Sequence, residues 1–352
     1  MSRTSRDRGE LVVVSTMKNE GPFILEWVAH YLALGFDHFV ICTNDCEDTT
    51  VPMLRRLGDL GLVTHHATRV GRGGIHRSAL RQAFRYRRVR EAEWVFVCDV
   101  DEFLNIHVGD GSARALIEAS GEADAICVPW RVFGPAGVTL YRDIPVTERF
   151  TWAELPPTLR PEAGKFVKSL VHRPGRMHRL GLHVPVPREE DAASMRFVWP
   201  GGVEKMVGGE PTGARPSFEV AQVNHYALRS LDSFLVKRAR GRANHMNHVL
   251  GREYWDRFDL NQVQDVSIRR YETRFRGWLE WLKADEELFA LHRKAVHWHR
   301  VKARQMRKQP DVRPLYLELR AEQAALFERL NGAVEFAPPP RAAEAAAEVA
   351  AE

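Results

Sequence analysis

The sequence predicts an α/β fold, a mostly parallel sheet with helices on both faces, followed by a C-terminal helical region. Four short apolar segments alternate with three amphipathic ones in the first hundred residues, which is the pattern of a parallel sheet with helical crossovers. The fourth apolar run, at 94–98, ends in three carboxylates, Asp99, Asp101 and Glu102. Polar residues also follow the first two strands, and such loops meet at the carboxyl edge of a doubly wound sheet, where ligands bind.

The individual elements follow from composition and spacing. The first strand is predicted at 10–15; Pro22 fits the first turn of the next helix and Gly35 its C-terminal cap. Further strands are predicted at 38–42, near 62–65, from residue 94, at 125–130 and at 166–171, and helices at 49–57, 75–90 and 231–239. The glycines and proline at 134–137 suggest a hairpin turn. The Gly-, Pro- and His-rich stretch at 151–216 indicates short strands at most.

Composition bounds the class of protein. The chain has 352 residues and 44% hydrophobic residues, enough for one large domain with an appendage. No run is long and apolar enough to cross a bilayer, and residues 1–10 have no apolar segment typical of a secretory signal. The four cysteines form no zinc-like cluster with histidine, so we expect reduced thiols in a cytoplasmic protein.

The net charge is +5, and arginines cluster at 72–90 and 238–242. Such clusters suit phosphates, polyanions or an anionic membrane face, although a solvated helix face explains any single arginine equally well. No nucleic-acid-binding motif is present, so we expect no nucleic-acid partner.

The strongest motif is the pair Asp99 and Asp101. Side chains two residues apart on extended chain point the same way, so both carboxylates can hold one hard divalent cation, whose other positions diphosphate oxygens would fill. The alternative is an acidic loop that caps the next helix. A dinucleotide-binding glycine motif is missing after the first strand, and the glycines at 71–74 lack the lysine and hydroxyl residue of a P-loop.

Several separated motifs, in order, resemble nucleotide-sugar glycosyltransferases of the GT-A fold. The closest resemblance is to the bacterial branch of glycosyltransferase family 2, and the chain is also similar to family 92. The motifs are Met-Lys-Asn-Glu at 17–20, Glu-Trp-Val-Ala-His-Tyr at 26–31, Gly-Phe-Asp-His at 35–38, the acidic loop at 44–49, Asp-Val-Asp-Glu-Phe at 99–103, Trp130, Phe-Gly at 133–134, and 224–230 with Phe234, Lys237, Arg240 and Gly241.

The resemblance spans 11–242 and implies a domain organisation. A GT-A glycosyltransferase domain would occupy 11–242, after a flexible N-terminus at 1–10. A helical region would follow at 243–334 and a low-complexity tail at 335–352.

The resemblance also implies a site. The donor-binding residues it implies are Thr16, Lys18, Glu20, Asn44, Asp48 and Arg77. Asn44 departs from the aspartate that relatives carry there, which puts the contact to the base in doubt because an amide both donates and accepts. Asp99, Asp101 and His225 would hold Mn²⁺ or Mg²⁺, and Glu102 would support the metal loop. The catalytic base stays open among Glu148, Glu189, Glu190 and Asp191.

Structural roles compete with these assignments. Asn19 and Asp48 are equally suited to cap the helices that follow them, and Arg77 alone suits a helix face. His225 alone would usually be a hydrogen-bonded core residue. Among the remaining histidines, only His183 is a candidate site residue. Trp130 suits either the core or a sugar-facing platform. The late tryptophans at helical spacing are predicted to be core: Trp255, Trp278, Trp281 and Trp298.

The leading hypothesis is a metal-dependent, inverting glycosyltransferase that moves a sugar from a nucleoside-diphosphate sugar to a cell-surface glycan or lipid-linked acceptor. A nucleotidyltransferase is the second hypothesis, but its usual glycine-rich basic loop is absent after the first strand. A non-catalytic nucleotide-sugar-binding protein of the same fold is the third. The basic helices add the hypothesis of peripheral contact with an anionic inner membrane.

Overall fold

The computed structural model describes residues 9–71, 73–207, 210–240 and 250–334. The N-terminus at 1–8 and the tail at 335–352 lie outside the described residues, as do Arg72, Gly241 and Arg242 of the predicted motifs. The expectations for those segments therefore stay predictions.

The first hundred residues form the predicted alternation of strands and helices. The elements are β1 (Leu11–Met17), α1 (Gly21–Ala33), β2 (His38–Thr43), α2 (Thr50–Asp59), β3 (Val63–Ala67), α3 (Gly74–Ala83), α4 (Arg87–Glu91) and β4 (Trp94–Val97). Gly35 follows α1 with φ of +87°, the left-handed conformation expected of a C-terminal cap. The remaining strands up to residue 225 are β5 (Glu102–Ile106), β6 (Ala125–Val132), β7 (Trp152–Ala153), β8 (Val167–His172), β9 (Met177–Arg179), β10 (Val186–Pro187), β11 (Phe197–Val198), β12 (Glu204–Val207), β13 (Glu210–Pro211) and β14 (Ala221–His225).

Helices dominate the rest of the described chain. They are α5 (Ala113–Ser120) and α6 (Val146–Arg149) between the strands, then α7 (Leu231–Arg240), α8 (Arg252–Phe258), α9 (Glu272–Ala284), α10 (Glu286–Lys308) and α11 (Arg313–Val334), with one further short strand, β15 (Val263–Gln264). Short 3₁₀ turns lie at Pro174–Arg176, Ala192–Ser194 and Ser267–Tyr271. The predicted C-terminal helical extension is thereby confirmed.

The central sheet has the strand order β13-β12-β11-β6-β8-β4-β1-β2-β3, and β14 joins β6 to β5 beside it. Strands β4, β1, β2 and β3 pair in parallel, whereas β8 runs antiparallel between β4 and β6. The predicted α/β class is confirmed, and the sheet is mixed: its parallel, doubly wound part is the half built by the first hundred residues.

The C-terminal helices cover one face of that half. Helix α1 is buried along its whole length, because α9 and α10 pack against the side that faces away from the sheet. Helix α10 also contacts α2 and α7. The segment after the sheet thus holds the elements that follow β1 and β2 in place, and those elements border the carboxyl edge of the sheet.

Three elements differ from their predicted form. The arginine-rich helix at 75–90 is divided into α3 and α4, because Tyr86 adopts extended backbone and its hydroxyl bonds to His66 Nδ1. The turn at 134–137 does not close a hairpin: the chain returns to Phe133 only at Ala153. Residues 221–225 form a central strand, β14, that composition did not reveal.

The late tryptophans do not all belong to the core. Trp255 is fully buried, but the side chains of Trp278 and Trp281 are exposed. The reason is the face they occupy: α9 buries Phe275, Leu279 and Leu282, and the two tryptophans lie on its other side. Helical spacing fixes a common face and leaves open which face the fold buries. No helix within the described ranges is long and apolar enough to cross a membrane.

Candidate active site

A cavity of about 670 Å³ opens at the carboxyl ends of β1, β2 and β4. Seven of the predicted site residues line it: Thr16, Lys18, Glu20, Asn44, Asp99, Asp101 and His225. The loops that follow three separate strands therefore meet around one space, as a parallel sheet requires. His225 arrives from the end of β14, which pairs with β5 so that His225 lies opposite Glu102.

The carboxylates after β4 are held by buried lysines. Lys168 of β8 is fully buried, and its Nζ lies 2.9 Å from Asp99 Oδ2 and 3.1 Å from Glu102 Oε2. Glu102 Oε2 also accepts a hydrogen bond of 2.8 Å from the Asp99 backbone N–H. Lys237 of α7 approaches Asp101 Oδ2 to 2.6 Å. We call these five residues the carboxylate wall.

The charges of the carboxylate wall shift its pKa values in opposite directions. Burial, opposed by Lys168 and reinforced by the neighbouring aspartates, raises the pKa of Glu102 to about 8. Burial acts in the same sense on Asp99 and Asp101, but the ammonium groups of Lys168 and Lys237 outweigh it and hold both pKa values below the usual range. At neutral pH the two aspartates are therefore ionised, whereas burial shifts Glu102 toward its protonated form.

Asp101, Glu102 and His225 form a cluster in which one donor atom of each lies within 4.8 Å of the others. The Nε2 atom of His225 is 3.9 Å from Asp101 Oδ1. Glu102 Oε1 and His225 Nδ1 are buried and have no hydrogen-bond partner among the described residues. Two carboxylates and an imidazole suit Mn²⁺ and are compatible with Mg²⁺. The cluster contains Asp101 and His225 of the predicted ligands, but Glu102 takes the place predicted for Asp99, whose Oδ2 is paired with Lys168.

A second ion-pair system adjoins the carboxylate wall. Glu20 lines the cavity, and its two carboxylate oxygens pair with Arg240 and Arg229. Arg240 also donates to the Lys18 carbonyl oxygen at 2.7 Å, which ties α7 to the loop after β1. Glu20 is therefore engaged by two guanidinium groups, and Lys18 and Arg240 supply positive charge at the same edge of the cavity.

The loops after β1 and β2 are locked to each other. Asn19 has φ of +54°, and its Oδ1 accepts a hydrogen bond of 2.7 Å from the Glu47 backbone N–H. Thr16 Oγ1 contacts His76 Nδ1 at 3.1 Å, and His76 also lines the cavity. Within the described part of the chain, Asn44 Nδ2 has one hydrogen-bond contact, to the neighbouring Asp45 at 3.4 Å. Asn19 thus joins two loops and does not cap α1.

Two predicted donor-binding residues lie outside the lining. Asp48 accepts hydrogen bonds from the backbone N–H groups of Gly21 and Thr50, at 3.0 and 2.9 Å, and so stabilises the start of two helices. Arg77 is exposed on α3, whereas its neighbour His76 lines the cavity. For both residues, the structural alternative accounts for the contacts that are present.

The four predicted catalytic-base candidates also lie away from this cavity. Glu148 pairs with Arg276 of α9, and Asp191 lies 3.8 Å from Arg176. Glu189 and Glu190 line a separate cavity of about 510 Å³ beside α4. None of the four contributes to the lining of the larger cavity.

Aromatic residues form a further side of the cavity, next to His225. The Trp130 ring lies 5.4 Å from the Phe166 ring, 5.2 Å from His183 and 4.2 Å from His225, between ring centroids. The Phe258 ring of α8 lies 5.4 Å from His225. The guanidinium of Arg257 lies over both Phe166 and Phe258. We call Trp130, Phe166, Arg257 and Phe258 the aromatic wall.

Sequence reasoning did not find Lys168 or the aromatic wall around Trp130. One signal for Lys168 was present, because it lies within the apolar run at 166–171, where a buried cation needs an anionic partner. No comparable signal marks Arg257, because Phe166, whose ring its guanidinium contacts, precedes β8 and is distant in sequence from α8.

The structure of this chain is only weakly similar to two solved structures. A fragment of S. aureus TarS comprising residues 1–349 is 13% identical, with a TM-score of 0.33 and coverage of 94% of this chain and 93% of that one. HddC from Yersinia pseudotuberculosis is 11% identical, with a TM-score of 0.28 and coverage of 47% and 77%. Overlaps of this size bear on neither activity nor ligand.

Sequence comparison is more specific. A glycosyltransferase family 92 protein of Ricinus communis is 26% identical over 136 residues, which cover 37% of this chain and 24% of that protein. A further match under the same name extends over 169 residues at 26% identity. The chain thus spans about a quarter of the length of these relatives. The family profile described as glycosyltransferase family 92 matches residues 11–198, more than half of the chain, and the chain therefore belongs to glycosyltransferase family 92.

Proposed function

We propose that this protein is a metal-dependent, inverting glycosyltransferase. It would move a sugar from a nucleoside-diphosphate sugar to a cell-surface glycan or a lipid-linked acceptor. The observation that carries the proposal is the single cavity, in which the loops after β1 and β2 face the carboxylate wall and His225. Membership in family 92 supports the reaction class. The inverting course is what the resemblance to family 2 implies, and it is part of the proposal.

The carboxylate wall would serve the donor. Asp101, Glu102 and His225 would hold Mn²⁺ or Mg²⁺, and this cation would stabilise the negative charge that develops on the departing diphosphate. Lys18 and Arg240 border the same space and would add positive charge there. Lys168 and Lys237 fix the aspartates in one geometry, so that little reorganisation is needed when a donor binds.

Inversion requires a base that removes the proton of the acceptor hydroxyl, and we assign this role to His183. It lines the cavity and stands within 6 Å of the Trp130 and Phe166 rings. Its Nδ1 lies 3.0 Å from the Val167 carbonyl oxygen, which can only accept, so the proton of the neutral ring is on Nδ1 and Nε2 is a base. Burial and the nearby Lys168 lower the pKa of His183, which favours this neutral form at pH 7.

The proposal is tested by nucleotide-sugar binding and hydrolysis, with UDP-glucose and GDP-mannose as probes, in Mn²⁺ and after its removal with EDTA. Asp101→Asn should reduce Mn²⁺-dependent turnover by about 10²-fold or more, because it removes a carboxylate from the metal set. Asp59→Asn is the matched control, since the Asp59 side chain is 70% exposed on α2. Equal, metal-independent behaviour of wild type and Asp101→Asn would exclude the proposed metal site.

We also propose peripheral contact with an anionic membrane through the exposed arginines of α3, of α4 and of the turn between them. Arg77, Arg81, Arg85 and Arg90 are exposed and have no carboxylate partner among the described residues. Sedimentation with vesicles of phosphatidylglycerol and of phosphatidylcholine measures this contact. Binding confined to the anionic vesicles, and lost in 0.5 M salt, is the expected result. Equal binding to both kinds of vesicle would contradict the proposed contact with an anionic membrane.

A further inference from the structure

Arg257 lies at the open mouth of the cavity, on the aromatic wall. Its guanidinium carbon is 5.1 Å from the centre of the Phe166 ring and 5.3 Å from that of Phe258. A guanidinium that contacts aromatic rings in this way keeps its in-plane N–H groups available for a planar anion. The side chain is exposed and is also part of the cavity lining.

Like Lys18, Arg257 has no carboxylate partner among the described residues, whereas the other cations near this cavity are paired. Lys168 and Lys237 are paired with the carboxylate wall, and Arg240 and Arg229 with Glu20. The segment at 241–249, which precedes α8, contains no acidic residue in the sequence.

The neighbours of Arg257 are suited to a sugar ring. The Phe166 side chain is 41% exposed, and its ring lies next to Trp130. An exposed aromatic face accepts the apolar C–H face of a pyranose, and a cation beside it can reach a substituent at the ring's edge. The cations proposed for the diphosphate, Lys18 and Arg240, belong to the loop after β1 and to α7.

We infer that the aromatic wall is a subsite for an acidic acceptor sugar, with Arg257 bound to its carboxylate. The inference rests on the proposed function, because only a transferase has an acceptor. It adds to that function the chemical class of the acceptor. The bond from Arg257 would be a charge-assisted, bidentate pair, and the ring of the acceptor would lie against Phe166.

The test uses equilibrium binding, measured by saturation-transfer NMR, with the full chain and three probes. Methyl β-glucuronoside carries the carboxylate, methyl β-glucoside is its neutral counterpart, and inorganic pyrophosphate stands for the donor's diphosphate. Arg257→Gln removes the cation, and Arg257→Lys restores the charge without the planar fork. Arg304→Gln is the matched control, an exposed arginine of α10 outside the cavity lining.

Wild type and Arg304→Gln should bind the glucuronoside about tenfold more tightly than the glucoside, as expected for a charged hydrogen bond. Arg257→Gln should abolish this preference, and Arg257→Lys should restore part of it, while pyrophosphate binding stays unchanged in all variants. A preference that survives Arg257→Gln, or is absent from wild type, overturns the inference. A matching loss of pyrophosphate binding would assign Arg257 to the donor and also overturn it. Failure of the proposed function is seen separately, as absent metal-dependent turnover of the sugar nucleotides.

Discussion

The two walls of the cavity differ in how firmly the fold holds them. In the carboxylate wall, Glu102 and Lys168 are completely buried and every carboxylate contacts a lysine or is hydrogen-bonded to the backbone. In the aromatic wall, Phe166 is 41% exposed and Arg257 is held by ring contacts alone among the described residues. The first wall is therefore built largely into the core, whereas Phe166 and Arg257 of the second form a surface that a ligand can complete. Changes in the first should alter stability, and changes in the second should alter binding.

The largest expected effect concerns the group that acts between the walls. His183→Asn should lower transfer to acceptor by about 10²-fold or more, because it removes the proposed base. Donor binding and the free energy of unfolding should change little, since His183 is only partly buried. Initial rates of transfer and of donor hydrolysis, measured from pH 5 to 9, give the result. His178→Asn, an exposed histidine outside this cavity, is the control. An unaltered transfer rate in His183→Asn would assign the base elsewhere.

Removing a cation from the carboxylate wall should have the largest effect on stability. Lys168→Met leaves Asp99 and Glu102 without their shared counter-ion and should lower the free energy of unfolding by about 3 kcal/mol. Urea unfolding followed by circular dichroism measures this change.

Lys165→Met is the control for that change, because the Lys165 side chain is 70% exposed and its partner Glu162 equally so. The double variant Lys168→Met with Glu102→Gln should recover part of the loss, since it removes a carboxyl whose pKa burial already raises to about 8. If Lys168→Met and Lys165→Met unfold at the same urea concentration, the wall is not stabilised by its buried ion pairs.

Acid should weaken the support beneath the carboxylate wall. His30 of α1 is buried and its Nε2 bonds to the Leu104 carbonyl oxygen of β5 at 2.8 Å, and burial lowers its pKa from 6.5 to about 4. A folded-state pKa below the unfolded one gives stability that is complete above pH 6.5 and is lost as pH falls through 4.

Between pH 8 and pH 5 the contribution of His30 should fall by about 2 kcal/mol. His30→Gln should be less stable than wild type at pH 8, with a smaller dependence on pH. Urea titrations at several pH values compare it with His297→Gln, an exposed histidine of α10. Parallel pH profiles for His30→Gln and wild type would contradict the assignment.

The smallest effect on stability is expected at the aromatic wall. Phe166→Ala should change the free energy of unfolding by less than about 1 kcal/mol, because Phe166 is 41% exposed in the folded protein. It should raise the KM for the acceptor several-fold and leave the KM for the donor unchanged. Steady-state kinetics give both constants, with Leu159→Ala, 69% exposed and outside the lining, as control. A large loss of stability would show that the aromatic wall belongs to the core as the other wall does.

Most of the parallel half of the sheet could be predicted from the amino-acid sequence. β1, β2, β3 and β4 were predicted within a few residues, because each is a short β-branched or aromatic run between clear helix signals. The meeting of Thr16, Asn44 and Asp99 around one cavity followed from strand direction alone. The strand β14 and the division between α3 and α4 did not follow, since neither has a composition that separates it from its neighbours.

The order of strands and helices, the edge at which polar loops gather and the carboxylates that face the cavity were fixed by local sequence, since strand periodicity and parallel pairing act over short distances. The fold alone settled which cations oppose those carboxylates: Lys168 and Lys237 come from β8 and α7, far along the chain from Asp99 and Asp101. It also decided that Asp48 caps helices and that Trp281 faces solvent. Pairing of distant side chains depends on how the elements pack, and no pattern within one segment encodes that.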